Sequence, residues 1–487
     1  MKLCNIGHNY DYETEKTVRL FLPFEKIEIL HNICTDDCLA VCELKISDGN
    51  STAVSYVLLD GKRCERSCEV LSNDKRAEET ALATALFECF VKLTEYKPAW
   101  GILTGIRPAK LYSRFLSEMG QSKTDEYFSE VFKVDSDKIS LCKSAVEGEN
   151  KIISLSKPNS FSLYLSVPFC PSRCSYCSFV SHSVDKAKEL IPTYVKLLCD
   201  ELKITAKIAN DLGLKLETVY MGGGTPTTLD ATQLDTVLST VNSYFDMSAL
   251  KEFTVEAGRP DTITEDKLKA IKSNGVTRIS INPQTLNDGV LEKIGRKHTS
   301  IQTIDAFLLA RKCGFDNINM DTIAGLPDDT LESFSDTIEK LITLNPESIT
   351  VHSLSMKRAS TLTKNGERPE ISAGITASKM VNYARKRLIE SGILPYYMYR
   401  QSKTVGNLEN VGYAKSGFEG LYNVYIMDET HTVLACGASA VTKLKEPLGD
   451  NIERIFNFKY PYEYIGRFNE QISRKDGIAE FYDKYFK

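Results

Sequence analysis

Three cysteines in one short segment constrain this chain more than any other feature. Cys170, Cys174 and Cys177 lie in Phe-Cys-Pro-Ser-Arg-Cys-Ser-Tyr-Cys-Ser-Phe (residues 169–179), a C-x3-C-x2-C spacing that follows a strand-like run ending at Val167. Thiolates so spaced on one tight loop can hold three corners of a cuboidal 4Fe–4S cluster, whose usual full set is four cysteines. The loop offers no fourth, because position 179 is Phe. One iron is then left without a protein ligand, and an open coordination place is how a metal site keeps a reactive position. Buried cysteines with no ligand role are common, but here the residues flanking the loop also match a cluster site.

This segment resembles the cluster loop of radical-SAM enzymes. It is closest in character to the oxygen-independent coproporphyrinogen III oxidases, with their HemZ-type dehydrogenase and HemW-type haem-chaperone relatives. The likeness runs from residue 160 to residue 445. It implies that S-adenosylmethionine (SAM), as one or two molecules, meets the open iron. An electron from the cluster then cleaves SAM to a 5′-deoxyadenosyl radical, with the cofactor supplying the hard chemistry. It also implies a partial six-stranded (β/α)6 barrel, whose chemistry sits at the C-terminal ends of its strands.

The rhythm of the chain agrees. Strand-like runs at 163–167, 218–221, 253–256, 277–281, 317–323 and 348–353 alternate with helical stretches such as 186–209 and 231–244. Such alternation predicts a parallel sheet with outer helices. The remaining motifs fall at or near the ends of these runs. Gly222, Gly223, Gly224 and Thr225 end the second, and glycines let a backbone come close to a ligand. The resemblance gives them the amino group of SAM. Glu256 ends the third run and is expected to accept hydrogen bonds from the same end of SAM. Gln284 and Asp321 are assigned to ribose hydroxyls, and Arg296 to the SAM carboxylate, which suits its planar fork. Tyr176, within the loop, and Ser355, after the sixth run, complete the cofactor set. Tyr164, six residues before Cys170, matches a position associated with SAM and activity. As plain chemistry each of these is also an ordinary glycine turn, strand-end polar residue or core aromatic.

The sequence also departs from the oxidases. Ser166 stands where they carry His, Phe179 where they carry an additional Cys, and Pro283 where an apolar residue is usual. These changes bear on the substrate step and leave SAM cleavage untouched.

The expected organisation is an N-terminal α/β domain over 1–155, the barrel over 160–355 and a C-terminal α+β domain over 356–487 that closes the open side. In the first segment, 41–46 and 53–59 read as strands around a turn at 47–50, and 74–92 reads as a helix. Trp100-Gly-Ile-Leu-Thr-Gly-Ile-Arg-Pro-Ala-Lys-Leu resembles a HemZ-type segment; as local structure it is a turn and a helix start at Pro108. In the last, a helix near 377–391 precedes strands near 421–427 and 432–436, then helices to the end.

Cys34, Cys38 and Cys42, with Cys64 and Cys68, repeat an x3 spacing. No recognised ligand pattern contains them, and the strand-like run 38–46 makes Cys38, Cys42 and Cys64 small core residues. The chain's 14 cysteines are expected to be mostly reduced, and the absence of a signal-peptide pattern points to the cytoplasm. No run has the length of a membrane span. A net charge of −5 argues against a nucleic-acid footprint.

The resemblance implies oxidative decarboxylation of coproporphyrinogen III to protoporphyrinogen IX, with a porphyrinogen as substrate and an unidentified electron donor and acceptor as partners. Lys357, Arg358 and Arg400 are the cations expected to face its propionates. The rival is a haem-binding chaperone on the same fold.

Overall fold

The computed structural model describes every residue except 36–37, 48–49, 73, 180, 367 and 486–487. The middle of the turn expected at 47–50 therefore lies outside the described residues. The chain forms two compact units. One holds residues 1–144, 368–378 and 398–409; the other holds 145–367, 379–397 and 410–487.

In the first unit β1 (Lys2–Ile6), β2 (Glu28–His31), β3 (Cys38–Ser47), β4 (Asn50–Leu59) and β5 (Lys62–Glu69) form one sheet in the order β2-β1-β3-β4-β5. The helix Lys75–Thr94 follows, with Asp74 accepting from the Ala77 N–H as its N-cap. Cys38, Cys42 and Cys64 are buried on these strands, as small core residues should be. Cys34 behaves otherwise: it is disulfide-bonded to Cys4. Among the described residues the other twelve cysteines are free. Pro108 opens the helix Pro108–Met119, so the Trp100 segment is the turn and helix start expected of it.

The second unit carries the barrel strands: β6 (Ser160–Val167), then the short pair β7 (Phe169–Cys170) and β8 (His182–Ser183), then β9 (Lys215–Gly223), β10 (Glu252–Glu256), β11 (Arg278–Ser280), β12 (Ile318–Ala324) and β13 (Ser348–Ser353). β6 and β9–β13 are consecutive neighbours, all parallel. Strands buried on both faces need apolar residues throughout, and β6 exposes only Tyr164 in part. The helices between them are one-sided; Ile191–Asp211 buries Leu198, Leu202, Ala206 and Ala209. Asp230 with Gln233 and Thr299 with Gln302 close reciprocal capping boxes at two helix starts.

Beyond residue 355 the described residues add five further strands. β14 (Leu394–Arg400), β15 (Glu409–Ala414), β16 (Thr432–Cys436), β17 (Val441–Lys445) and β18 (Ile452–Phe456) extend the same sheet, in the order β14-β15-β13-β12-β11-β10-β9-β6-β16-β17-β18. The sheet's hydrogen bonding runs through them. Residues 421–428 are a helix and not a strand. The Glu252 carboxylate accepts from the Leu421 and Tyr422 N–H groups at 2.7 and 3.4 Å, an anionic cap at the helix start that overrides the β-preference of Tyr, Val and Ile. No described helix is long and apolar enough to cross a membrane.

Candidate active site at the strand ends

The loop carrying Cys170, Cys174 and Cys177 leaves β7 and is held from several sides. Ser175 N–H donates to the Ile294 carbonyl at 2.9 Å, and Leu362 N–H to the Ser175 carbonyl at 3.1 Å. Ser172 Oγ donates to the Gly295 carbonyl at 3.1 Å, and Arg173 to the Ala359 carbonyl at 2.9 Å. The loops after β11 and β13 thereby fix where the thiols sit. The Cys170 sulfur accepts from Thr225 Oγ1 at 3.6 Å. Burial pushes the Cys177 thiol up to about 11. Phe179 is 68% exposed and supplies no ligand. Among the described residues no His, Cys, Asp or Glu groups converge as around a single ion. A cuboidal cluster holds its thiolates at separate corners and needs no such convergence.

The glycine run at the end of β9 is pressed against this loop. A Cβ on Gly224 would lie 2.6 Å from the Phe169 carbonyl oxygen and 3.0 Å from the Cys170 sulfur. A Cβ on Gly222 would lie 3.1 Å from Glu256 Oε1. At Gly224 the close main chain of Phe169 excludes a side chain, and at Gly222 one would require Tyr220 or Glu256 to shift.

Glu256 accepts a hydrogen bond from Tyr220 OH at 2.6 Å. Burial pushes its carboxyl up to about 7; the Tyr220 bond opposes the shift and the Asp321 charge adds to it. Burial also pushes Asp321 up, but bonding and charge from His352 and the Asn319 amide hold it below the ordinary value. Asn319 Nδ2 donates to Asp321 Oδ1 at 2.7 Å, and His352 Nε2 lies 3.8 Å from Oδ2. Gln284 joins β12 through main-chain bonds to Asp321 and Ile323, both 2.9 Å, with φ at +67°. Glu256, Asp321 and Gln284 therefore come together as expected. Arg296 sits with the cysteine loop, donating to Tyr176 OH at 3.1 Å and to the Asn282 carbonyl at 2.7 Å. Tyr164 stacks with Tyr220 and Tyr422, at 6.3 and 6.2 Å between ring centroids. Ser355 is half-buried beyond β13, and its carbonyl accepts from Lys357 N–H at 3.1 Å.

Arg400 does not belong to the propionate set. It is 3% exposed, and its guanidinium donates to the carbonyls of Leu103 and Asn407 at 2.5 and 3.0 Å. Its cation is spent on main-chain oxygens. Lys357 is half-buried, and burial lowers its pKa; Arg358 is exposed. Ser166, which stands where the oxidases carry His, is buried.

The sequence reading passed over Tyr220, Tyr422, His352 and Arg259. His352 and Arg259 carried a usable signal, since each is a polar residue at or just past a barrel strand's C-terminal end. Tyr422 carried none, because a helix far along the chain delivers it.

The donor set suits the expected cofactors. Three free thiols on one loop suit iron. Two of the residues assigned to SAM carry buried polar atoms with no partner in the protein, Gln284 Oε1 and Arg296 Nε. Buried polar groups are ordinarily paired, so these two atoms are open to a ligand's polar groups.

Known proteins agree. The Radical SAM superfamily model matches residues 164–341. The oxygen-independent coproporphyrinogen-III oxidase-like protein HemZ of Bacillus subtilis (strain 168) is 37% identical over 380 residues, 77% of this chain and 76% of the relative. The chain belongs to the oxygen-independent coproporphyrinogen III oxidase family of radical SAM proteins, with HemZ among its relatives. Members of this family also include the heme chaperone HemW of Lactococcus lactis, 33% identical over 330 residues, 67% of this chain and 80% of the relative. The fold is that of the coproporphyrinogen III oxidase HemN from Escherichia coli, with a TM-score of 0.52, 20% identity, and coverage of 66% of this chain and 72% of that one. As a radical SAM protein it uses a 4Fe–4S cluster and SAM.

Two predictions test the residues assigned to SAM. SAM carries a cationic amino end, so pairing with Glu256 requires the carboxylate. With its carboxyl at about 7, Glu256 loses its proton as pH rises through neutrality, and SAM affinity is expected to rise with it. Equilibrium binding at pH 6 and pH 8 checks this; Glu256→Gln should flatten the difference. Arg296→Ala is expected to weaken SAM binding roughly ten- to a hundredfold, the worth of a charge-assisted hydrogen bond of about 1.5–3 kcal/mol, with iron content unchanged. Unaltered SAM affinity in a folded, iron-loaded Arg296→Ala protein would remove Arg296 from the cofactor set.

Proposed function

We propose that this chain oxidatively decarboxylates two propionate side chains of coproporphyrinogen III to vinyl groups, giving protoporphyrinogen IX. The observation that carries the reading is the HemZ likeness, 37% identity spread over three-quarters of both chains, with a thiol loop and polar strand ends that suit the cofactors. When bound, the cluster and SAM supply a reducing electron and a hydrogen-abstracting carbon radical.

The protein's own residues bind and orient. Cys170, Cys174 and Cys177 hold the cluster. The backbone of Gly222–Gly224, with Thr225 and Glu256, receives the amino end of SAM; Arg296, beside Tyr176, receives its carboxylate. Gln284 and Asp321 take the ribose hydroxyls, and Ser355 offers backbone. The stack of Tyr164, Tyr220 and Tyr422 places aromatic rings next to Glu256. Lys357 and Arg358 pair with propionates; the half-buried Lys357 gains most from a carboxylate partner. Each propionate carboxylate that becomes a vinyl group loses CO2, one hydrogen atom and one electron. The electron leaves to an acceptor outside the chain.

The HemW likeness favours a second reading, haem carriage without turnover. Anaerobic incubation of the reduced, reconstituted protein with SAM and coproporphyrinogen III separates the two. A dehydrogenase forms more 5′-deoxyadenosine with the porphyrinogen than without it, and a one-vinyl intermediate precedes the two-vinyl product by mass. Equal 5′-deoxyadenosine in both, with no vinyl product, would sink the dehydrogenase reading.

A further inference from the structure

We infer that Arg259 tunes how readily the cluster accepts its electron, acting through Cys174. The inference rests on Cys174 being a cluster ligand. Arg259 follows β10, three residues after Glu256, and is 3% exposed. Its Nη1 donates to the Cys174 sulfur at 3.7 Å and to the Ser172 carbonyl at 3.4 Å. Its Nη2 donates to Ser172 Oγ at 3.2 Å. The outer edge of the fork is clamped by Asp261, with Nε to Oδ1 and Nη2 to Oδ2 both at 3.0 Å. The main chain is tied as well: Thr262 donates to the Arg259 carbonyl through its N–H at 2.9 Å and its hydroxyl at 2.8 Å. Burial, clamp and backbone hold one N–H aimed at a ligand sulfur.

Such a donor has a specific electrical consequence. One-electron reduction adds one negative charge to the cluster and its thiolates, and no proton moves. Hydrogen bonds to the sulfurs and nearby charge are established levers on cluster potential. A guanidinium donating to sulfur stabilises the more negative, reduced form. Asp261 acts in the opposite sense, as an anion behind that cation. Cys170 is treated differently, since its donor is the neutral Thr225 hydroxyl. The pair Arg259–Asp261 is thus a fixed dipole with its positive end on the Cys174 corner.

Opposite signs make the test. In EPR-monitored potentiometric titrations of the anaerobically reconstituted full chain, Arg259→Gln removes the cation and leaves Asp261 against His298, whose Nδ1 lies 3.7 Å from its Oδ1. Reduction is expected to become about tenfold less favourable, a midpoint lower by about 59 mV for one electron. Arg259→Lys keeps the charge, loses the fork and should fall by less. Asp261→Asn removes the anion and should raise the midpoint. Iron content should match the parent throughout. Unchanged midpoints, or shifts of the same sign in Arg259→Gln and Asp261→Asn, overturn the inference. If Arg259→Gln holds no iron, the direction of the Asp261→Asn shift decides: a rise supports the inference, anything else overturns it. Loss of iron in both variants makes the residue a brace for the loop and likewise overturns it. Retention of the parent EPR signal by Cys174→Ala would instead remove the premise, a different failure.

Discussion

Alanine at Cys170, Cys174 or Cys177 is expected to abolish both the visible cluster absorption of anaerobically reconstituted protein and SAM cleavage. Alanine at Cys38 or Cys64 should leave both intact. The contrast is large because the two groups of cysteines do different things. The first three are free thiols on one loop, braced by the loops after β11 and β13 and pressed against the glycine run. With position 179 a solvent-exposed Phe, no spare thiol stands next to the loop to replace one that is lost. Cys38 and Cys64 are buried on strands of the other unit. Removing a sulfur there opens a small cavity, a matter of stability of order 1 kcal/mol and not of iron. Iron and sulfide analysis beside the absorption spectrum checks this. Iron loss from Cys38→Ala alone, with the loop variants unaffected, would move the cluster to the N-terminal unit.

What could be read from the sequence was what local spacing dictates. The six barrel strands were legible because short strand-like runs alternate with helical stretches along the chain, the pattern of a parallel sheet. Glu256, Gln284 and Asp321 were singled out through the family resemblance; main-chain bonds tie Gln284 to Asp321, whose charge acts on Glu256. Features set by distant parts of the chain were not legible. The helix Leu421–Asp428 has a strand-like composition, and Glu252, some 170 residues earlier, caps it. Arg400 was expected to face propionates; its partners Leu103 and Asn407 are main-chain carbonyls, which carry no sequence signature. The Cys4–Cys34 pairing joins residues from separate segments, and spacing says nothing of it. β17 alternates in burial but spans only five residues, and β18, its antiparallel partner, does not alternate, so the pair carries little periodic signal.

The largest expected effect on stability lies in the first unit, at a buried ion pair. Lys138 and Glu409 are 1% and 3% exposed and 2.6 Å apart. Trp100 Nε1 donates to the other carboxylate oxygen at 2.7 Å. Burial pushes the Glu409 carboxyl up, but the charge and hydrogen bond of Lys138 and the bond from Trp100 outweigh it and hold it below the ordinary value. Lys138→Met keeps much of the side-chain volume and strands the carboxylate. Breaking a buried pair from one side costs about 3–5 kcal/mol. The lower end applies, because the Arg400 guanidinium, 5.3 Å over the Trp100 ring, still interacts with Glu409. The pH dependence carries the sign. In the parent, a depressed carboxyl contributes stability that is present above its unfolded value and lost as pH falls through the folded one. In Lys138→Met burial dominates and raises the carboxyl above its unfolded value, so the penalty grows as pH rises and shrinks on acidification. The chain has one tryptophan, and it is bonded to this carboxylate, so its fluorescence follows unfolding of this unit. Thermal unfolding at pH 5 and pH 8 should show a smaller deficit at pH 5. Adding Glu409→Gln to Lys138→Met should restore part of the loss, because the stranded charge is gone. A deficit independent of pH and untouched by the second substitution would assign the effect to packing of the lysine chain and not to the charge it neutralises.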